Sequence, residues 1–231
     1  MSQTHDPVSR GERIPTWALV LFVSVCWGSN FVAMKLALRD WEPFTLSAMR
    51  NLVGALLLLG YALAKGQSPP RGRKLLTIFL VSLNLTTVSS ACFTFGLQHI
   101  SASLASVLVN TMPFFMVLFA FPFLGERPTR RGLIGLILGF LGAALIASPQ
   151  GEGGASPAGI AFVLLAAATW ASGSILVKRA NLTGPDAPYF VAVQLFMSWA
   201  ALTLLATWQE GLQAFQVPPR ALGPLFYASI P

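Results

Sequence analysis

Long apolar runs dominate this chain, and each is long enough to cross a lipid bilayer as a helix. Hydrocarbon offers no partner to backbone N–H and C=O groups, so such runs must be helical in a membrane. Seven runs fall near residues 16–37, 44–64, 75–97, 103–124, 130–148, 158–178 and 188–208, and an eighth begins near Ala221. Only 10% of the residues are charged, whereas soluble domains carry about a quarter. The sequence therefore predicts an all-α integral membrane protein, a multi-span helical bundle with a truncated eighth span.

One segment occurs twice, which indicates an internal duplication. Trp27-Gly-Ser-Asn-Phe-Val-Ala-Met-Lys35 returns in the second half as Trp170-Ala-Ser-Gly-Ser-Ile-Leu-Val-Lys178. Four complete predicted spans separate the copies, so the second enters the bilayer from the opposite side, as in the inverted repeats of secondary transporters. A Gly/Pro-rich linker, 149–157, marks the boundary. We expect a first repeat of five spans at 1–148 and an incomplete second repeat at 158–231.

Basic residues alternate between loops, which predicts the orientation of the chain. Its net charge of +7 is not gathered in one patch, so the charge does not indicate a nucleic-acid partner. With the N-terminus inside, the cytoplasmic loops hold Arg10, Arg13, Lys65, Arg71, Arg73, Lys74, Arg127, Arg130, Arg131, Lys178 and Arg179. We therefore predict a multi-pass protein of the cell (inner) membrane with a cytoplasmic N-terminus.

Polar side chains form stripes on two predicted spans. Asn84 and Thr87 share one face of the third span, and Asn110 lies on one face of the fourth with Pro113. Uncompensated polar groups are costly in hydrocarbon, so both stripes should face inward. They either form hydrogen bonds between helices or line a polar cavity. Pro113 removes a backbone hydrogen bond, which either frees a carbonyl for a solute or only kinks the helix.

Two tryptophans lie near mid-span, away from the interfaces where tryptophan is usually enriched. Trp27 has Asn30 on its face, and Trp170 has Ser174 on its face. They either pack between helices or form matching aromatic walls of a cavity. We include both pairs, together with Gln194 of the seventh span, among the candidate solute-binding residues.

Four charged residues are candidates for gating or for attracting an anion: Lys35, Arg50, Glu126 and Lys178. Arg50 alone among the basic residues lies well inside a span, where a centred arginine costs about 2.5 to 3.5 kcal/mol. It either extends outward to Asp40 or Glu42, or attracts a carboxylate or phosphate on the solute. The two lysines are either interfacial anchors or gate residues. Glu126 forms either a hydrated helix-end charge pair or part of a gate.

Several kinds of chemistry are not indicated. No phosphate-binding G-x-x-x-x-G-K-[ST] loop occurs, so ATP hydrolysis by this chain is not predicted. A membrane-embedded enzyme needs converging His, Asp, Glu or Cys within the bilayer, whereas the acidic residues here fall in loops or at span ends. Cys26 and Cys92 have no partner at metal-ligand spacing. We predict no enzyme activity, no catalytic residue, no metal and no cofactor.

Glycines recur along the fifth span at Gly132, Gly135, Gly139 and Gly142. Steps of three and four place them on one face, which predicts close packing against another helix.

The order of motifs resembles the EamA-type transporters of the drug/metabolite transporter superfamily. The family pattern of Asn, Pro and then Leu-Gly-Glu-Arg in the fourth span matches Asn110, Pro113 and 124–127, and the glycine-striped fifth span follows. The first span is similar through Trp27-Gly-Ser-Asn-Phe31, and the second through Pro43 and Arg50. The resemblance implies ten helices in two inverted five-helix repeats around a central cavity for small organic solutes.

These observations predict a secondary-type transporter, an exporter, of small metabolites, amino-acid-like compounds or drugs that works by alternating access. Its partners would be a small-molecule solute and the lipid bilayer, with homo-oligomer formation left open. The alternative is a non-transporting truncated fragment or a partner-dependent subunit of such a transporter, because the resemblance implies helices that the sequence does not contain.

Overall fold

The chain forms helices joined by short turns, and the computed structural model describes residues 15–146, 156–216 and 219–229. The π-helical segment Ser82–Val88 joins α3 to α4, and short 3₁₀ helices occupy Leu212–Phe215 and Pro219–Ala221. The α-helices are α1 Thr16–Ala37, α2 Pro43–Ala64, α3 Arg73–Val81, α4 Ser89–His99, α5 Ala102–Val109, α6 Met112–Leu124, α7 Arg130–Ile146, α8 Pro157–Arg179, α9 Ala187–Gln209 and α10 Leu222–Ser229.

Six helical stretches in the described part of the chain are long and apolar enough to cross a membrane. They are Thr16–Ala37, Pro43–Ala64, Lys74–His99, Ala102–Leu124, Pro157–Arg179 and Ala187–Gln209. The predicted all-α multi-span fold is therefore confirmed. The predicted span 130–148 is helical over α7, and the eighth begins as expected with α10. Most of the predicted linker 149–157, and Arg10 and Arg13, lie outside the described residues.

The fourth span is divided into two helices where its polar stripe meets proline. Asn110 caps the end of α5, and α6 begins at Met112 with Pro113 in its first turn. Proline is tolerated there because the first N–H groups of a helix have no partner within the helix. The span thus consists of two helices joined by a turn at Asn110 and Thr111, whose backbones stay in the right-handed region.

Glycines allow close approach where α8 packs against the third span. A Cβ atom on Gly173 would lie 2.5 Å from Leu85 Cβ, and one on Gly96 would lie 2.8 Å from the Gly159 carbonyl oxygen. Only residues without a side chain permit this contact. The predicted glycine face of α7 behaves differently: nothing in the described structure lies within 4 Å of a Cβ built on Gly135, Gly139 or Gly142.

Buried apolar clusters close both ends of the bundle. Trp41 and Leu46 belong to a cluster that also joins α10, and the Trp41 indole Nε1 donates to the Ala221 carbonyl oxygen at 3.1 Å. Leu182 and Phe190 form the core of a second cluster, against α3. We call these ends the Trp41 end and the Leu182 end. The sequence predicts that the former faces outward and the latter faces the cytoplasm.

Candidate functional site

The π-helical segment Ser82–Val88 is the polar centre of the third span. Three of its side chains donate to neighbouring helices: Ser82 Oγ to the Gln194 carbonyl oxygen at 2.7 Å, Asn84 Nδ2 to Ser172 Oγ at 2.8 Å and Thr87 Oγ1 to Ser198 Oγ at 3.1 Å. A π-helical turn is wider than an α-helical one and is frequent at functional sites. The segment thereby connects α8 and α9 at mid-span.

Ser198 is the point where three helical segments meet. Its hydroxyl accepts from Asn51 Nδ2 of α2 at 2.8 Å as well as from Thr87. One helical turn before Asn51, the Ser47 hydroxyl pairs with Thr94 Oγ1 of α4 at 2.5 Å. Asn84 and Thr87, predicted to lie on an inward face, do contact other helices. Their described hydrogen bonds are the helix-to-helix bonds that were one of the two expected uses.

Gln194 lies next to this network but leaves its own amide unused. The residue is 6% exposed, and its backbone carbonyl accepts from Ser82. No hydrogen bond of its side chain occurs within the described residues. In the described part of the chain the enclosed side-chain atom without a hydrogen-bond partner is Thr203 Oγ1, so the Gln194 amide is not sealed off and can offer its donor and acceptor atoms to a solute or water.

A second polar group forms where α1, α2 and α10 converge. The carbonyl oxygen of Ala228 accepts from Arg50 Nε at 2.8 Å and from Asn30 Nδ2 at 3.2 Å. Beside it, Ser29 Oγ and the Tyr227 hydroxyl are 2.6 Å apart. Arg50 forms an ion pair with neither Asp40 nor Glu42, the expected partners for an outward reach, and Asp40 pairs with Arg220 at 2.9 Å.

The other predicted solute-binding residues make no hydrogen bond to these two groups in the described structure. Trp27 is 46% exposed on α1, and Trp170 is partly buried on α8. Ser174 Oγ donates to the Trp170 carbonyl oxygen of its own helix at 2.9 Å. Asn110 Nδ2 donates in the same way to Ser106 at 2.9 Å. Pro113 is exposed beside the junction of α5 and α6.

The two repeated lysines have different partners. Lys35 Nζ donates to three backbone carbonyl oxygens at the end of α4, those of Leu97, Gln98 and Ile100, at 2.5, 3.1 and 2.7 Å. Lys178 Nζ forms an ion pair with Glu126 Oε1 at 2.6 Å, and both side chains are more than half exposed. Glu126 thus forms a hydrated charge pair at the end of its helix, with Lys178 of α8 as the partner.

Sequence reasoning missed a pair of reciprocal caps between α2 and α9. Glu210, just after α9, accepts from the N–H groups of Phe44 and Thr45 in the first turn of α2, at 2.7 and 2.8 Å, and from Thr45 Oγ1 at 2.6 Å. At the opposite end Gln67, just after α2, accepts through Oε1 from the N–H of Tyr189 in the first turn of α9, at 3.2 Å. The start of each helix is therefore capped by a residue that follows the end of the other helix. The available signal was a polar residue soon after each helix.

Two surface cavities differ in charge. The cavity at the Leu182 end, about 360 Å³, is lined by Arg71 and Lys74 together with Asp186. The cavity at the Trp41 end, about 300 Å³, is lined by Asp40, Glu42 and Glu210. Within the described residues no group of three or more His, Cys, Asp or Glu side chains is placed to hold a metal ion.

Comparison with known proteins adds a family and several relatives. Residues 15–148 match the model of the EamA-like transporter family. The uncharacterized transporter YvbV of Bacillus subtilis is 32% identical over 93% of this chain and 70% of its own length. The uncharacterized inner membrane transporter YedA of Escherichia coli K12 is 27% identical over 74% of this chain and 56% of its own length.

Two further similarities concern a named exporter and a solved fold. A probable terminal-alkyne amino-acid exporter of Streptantibioticus cattleyicolor is 36% identical over 66% of this chain, which spans half of that relative. A solved crystal structure superposes with a TM-score of 0.60 at 18% identity, covering 87% of this chain and 79% of that one. At this identity the superposition shows a shared fold.

Proposed function

The chain belongs to the EamA-like transporter family, and from this premise we propose that it moves small metabolites, amino-acid-like compounds or drugs across the cell membrane by alternating access. Multi-pass membrane proteins of this family include relatives named as inner membrane transporters. We propose export as the direction, a cytoplasmic N-terminus, and two inverted repeats at 1–148 and 158–231. The name of the amino-acid exporter relative supports both the direction and the solute class.

The observation that carries this proposal is the polar seam between the proposed halves. Asn51 and Thr87 of the first half both donate to Ser198 of the second, and Asn84 donates to Ser172. Hydrogen bonds between neutral groups can be replaced by hydrogen bonds to water or solute without leaving a buried charge unpaired. A seam of this kind suits two halves that rock about a central site.

Helix pairing supports the same mechanism. From the first half, α1 packs against α10 of the second. From the second half, α8, which carries the repeated Trp-to-Lys segment, packs against α4 of the first. The central pair, α2 and α9, joins the two halves and is capped reciprocally. The first span of each proposed repeat thus packs against the third span of the other repeat, to which α4 and α10 belong.

Transport is tested by counterflow of radiolabelled amino acids in proteoliposomes that contain the purified chain. We expect saturable exchange, reduced about tenfold or more by Gln194→Leu because a solute would lose its hydrogen bond to this buried amide. Gln213→Leu is the matched control, since Gln213 is exposed at the Trp41 end. Equal exchange in both variants would remove Gln194 from the site. Exchange unaffected by Trp27→Ala combined with Asn110→Ala would remove those two residues.

A partner-dependent subunit is the second candidate. The open glycine face of α7 favours it, because such a face permits close packing against another helix in a membrane. Exchange that appears only when a second chain is reconstituted with this one would establish this candidate and exclude transport by the chain alone.

A further inference from the structure

We infer that Arg50 and Asn30 form a recognition site for the carboxylate of an organic solute, at the point where α1, α2 and α10 converge on the Ala228 carbonyl oxygen. The inference rests on the proposed transport function and narrows its solute class to organic anions and zwitterions. It follows from three properties of Arg50: its depth, its missing counter-charge and the free edge of its guanidinium.

Arg50 lies below the level of the membrane surface. It is seven residues beyond Pro43, the first residue of α2, which is about 10 Å along the helix. Ionisable residues at such depth are costly and mark solute or ion pathways by default. A lipid headgroup lies at the interface, so the depth favours a solute anion that reaches the residue from inside the bundle.

No carboxylate in the described structure neutralises Arg50. Two acids at the Trp41 end are engaged elsewhere: Asp40 pairs with Arg220, and both oxygens of Glu210 accept from the first turn of α2. The third, Glu42, forms no ion pair with Arg50 in the described structure. The neighbours of Arg50 are a backbone carbonyl and neutral polar side chains, which solvate a cation without cancelling its charge. The site therefore lacks one negative charge.

The guanidinium is held so that one edge stays open. Its Nε donates to Ala228, which fixes the plane of the group, while Nη1 and Nη2 make no hydrogen bond or ion pair with any residue in the described ranges. The Nη1/Nη2 edge is the fork that binds a carboxylate through two parallel hydrogen bonds. Lysine has no equivalent edge, so a lysine at this position would retain the charge and lose the bidentate contact.

Asn30 completes the site from α1. Its Nδ2 donates to the same Ala228 oxygen as Arg50, so the two side chains are neighbours. The Asn30 Oδ1 makes no hydrogen bond among the described residues and is an acceptor for an N–H or O–H group next to the bound carboxylate. The pair thus matches a carboxylate with a donor group beside it.

Charge at the two ends agrees with an anionic solute. Arg71, Lys74 and Asp186 line the cavity at the Leu182 end, which leaves it positive, and Asp40, Glu42 and Glu210 line the one at the Trp41 end, which stays negative although Arg220 pairs with Asp40. A field of this sign concentrates anions at the Leu182 end and repels them from the Trp41 end. Under the proposed orientation, anions would collect on the cytoplasmic side, which suits export.

The binding test uses acetate, the smallest stable carboxylate, on the purified chain in dodecyl maltoside. Thermal unfolding is compared in 100 mM sodium chloride, with that salt replaced by sodium acetate, and with acetamide added to it as the neutral counterpart. Binding to the folded state raises the unfolding midpoint, and we expect a rise of about 3 °C with acetate and none with acetamide. Equal rises with both probes, or no rise with acetate, would overturn the inference.

Variants locate the acetate effect. Arg50→Met should abolish it, whereas Arg39→Met, which removes an exposed arginine after α1, should preserve it. If Arg50→Met does not fold, Arg50→Lys serves instead and should weaken acetate binding about tenfold through loss of the fork. An undiminished acetate effect in either Arg50 variant contradicts the inference. A larger rise with inorganic phosphate than with acetate would contradict the carboxylate assignment, and loss of the effect on adding phosphatidylglycerol would assign the site to lipid.

Transport separates this inference from the function on which it rests. Proteoliposomes are tested for counterflow of L-leucine and of L-leucinamide, which lacks the carboxylate. We expect preference for L-leucine of about tenfold or more, lost in Arg50→Lys. Acetate binding at Arg50 without any transport would contradict the proposed function and keep the anion site. Equal transport of both compounds, unaffected at Arg50, would contradict the anion site and keep the transporter.

Discussion

The Trp41 end and the Leu182 end both hold neighbouring helices together, but they use different kinds of hydrogen bond. At the Trp41 end, the Glu210 carboxylate accepts three hydrogen bonds from α2, and the Lys35 ammonium donates three to the end of α4. At the Leu182 end, α9 is capped by the neutral amide of Gln67, and the ion pair of Lys178 with Glu126 is exposed.

The difference indicates which end opens more easily. Hydrogen bonds that involve an ionised group are about twice as strong as neutral ones, and an exposed ion pair contributes little. The cap between the proposed halves is therefore stronger at the Trp41 end, where Glu210 of the second half binds the first turn of α2, whereas the three bonds of Lys35 lie within the first half. If the halves rock, we expect the Leu182 end to separate at lower cost, and the proposed orientation makes that the cytoplasmic side.

The largest expected effect is at Glu210. Glu210→Ala removes a charged cap from three donors and should destabilise the folded chain by about 2 kcal/mol, measured as a lower midpoint of thermal unfolding in dodecyl maltoside. Gln67→Ala, the matched change at the other end, should cost about 0.5 to 1 kcal/mol. Equal losses in the two variants would mean that the ends do not differ in the strength of their caps.

Lys35 should have the next largest effect. Lys35→Met keeps the apolar stem but leaves the carbonyl oxygens at the end of α4 without their donor, and we expect a loss of about 1 to 1.5 kcal/mol by the same measurement. Lys65→Met is the control, because that exposed lysine follows α2 and donates to no carbonyl oxygen in the described structure. A loss at Lys65 as large as that at Lys35 would show that any lysine near a helix end matters equally.

The smallest effect should be at Lys178, the repeat partner of Lys35. Both side chains of its ion pair with Glu126 are mostly in solvent, so Lys178→Met should change stability by less than about 1 kcal/mol, and less in high salt. Its expected consequence is for exchange: loosening the Leu182 end should alter the counterflow rate of the proteoliposomes. A larger loss of stability in the Lys178 variant than in the Lys35 variant would mean that the bonds of the Leu182 end are the stronger ones.

The spans were predictable because a helix that crosses lipid must be apolar along almost its whole length. The apolar run at 16–37 coincides with α1, Thr16–Ala37, and the third and fourth spans end where their apolar character ends. The break at Asn110 was visible only as a proline and a polar stripe, since two short helices and one kinked helix share the same composition.

Partners across the bundle were less predictable, because they depend on which helix faces meet. Thr87 is polar in the sequence, but its contact with Ser198 depends on the packing of α9 against the π-helical segment. Glycine gives the same lesson. The regular glycine stripe of α7 predicted close helix packing, whereas the close contacts in the described structure involve Gly96, Gly159 and Gly173, whose spacing follows no simple period.

The reciprocal caps also have a consequence for the order in which the chain is made. On the ribosome, α2 emerges long before Glu210, so its first N–H groups must wait, satisfied by water or headgroups, until α9 has been synthesised. Gln67, in contrast, is already in place when α9 arrives. The start of α2 therefore gains its cap only once α9 has been synthesised, whereas the residue that caps α9 is made before α9 itself.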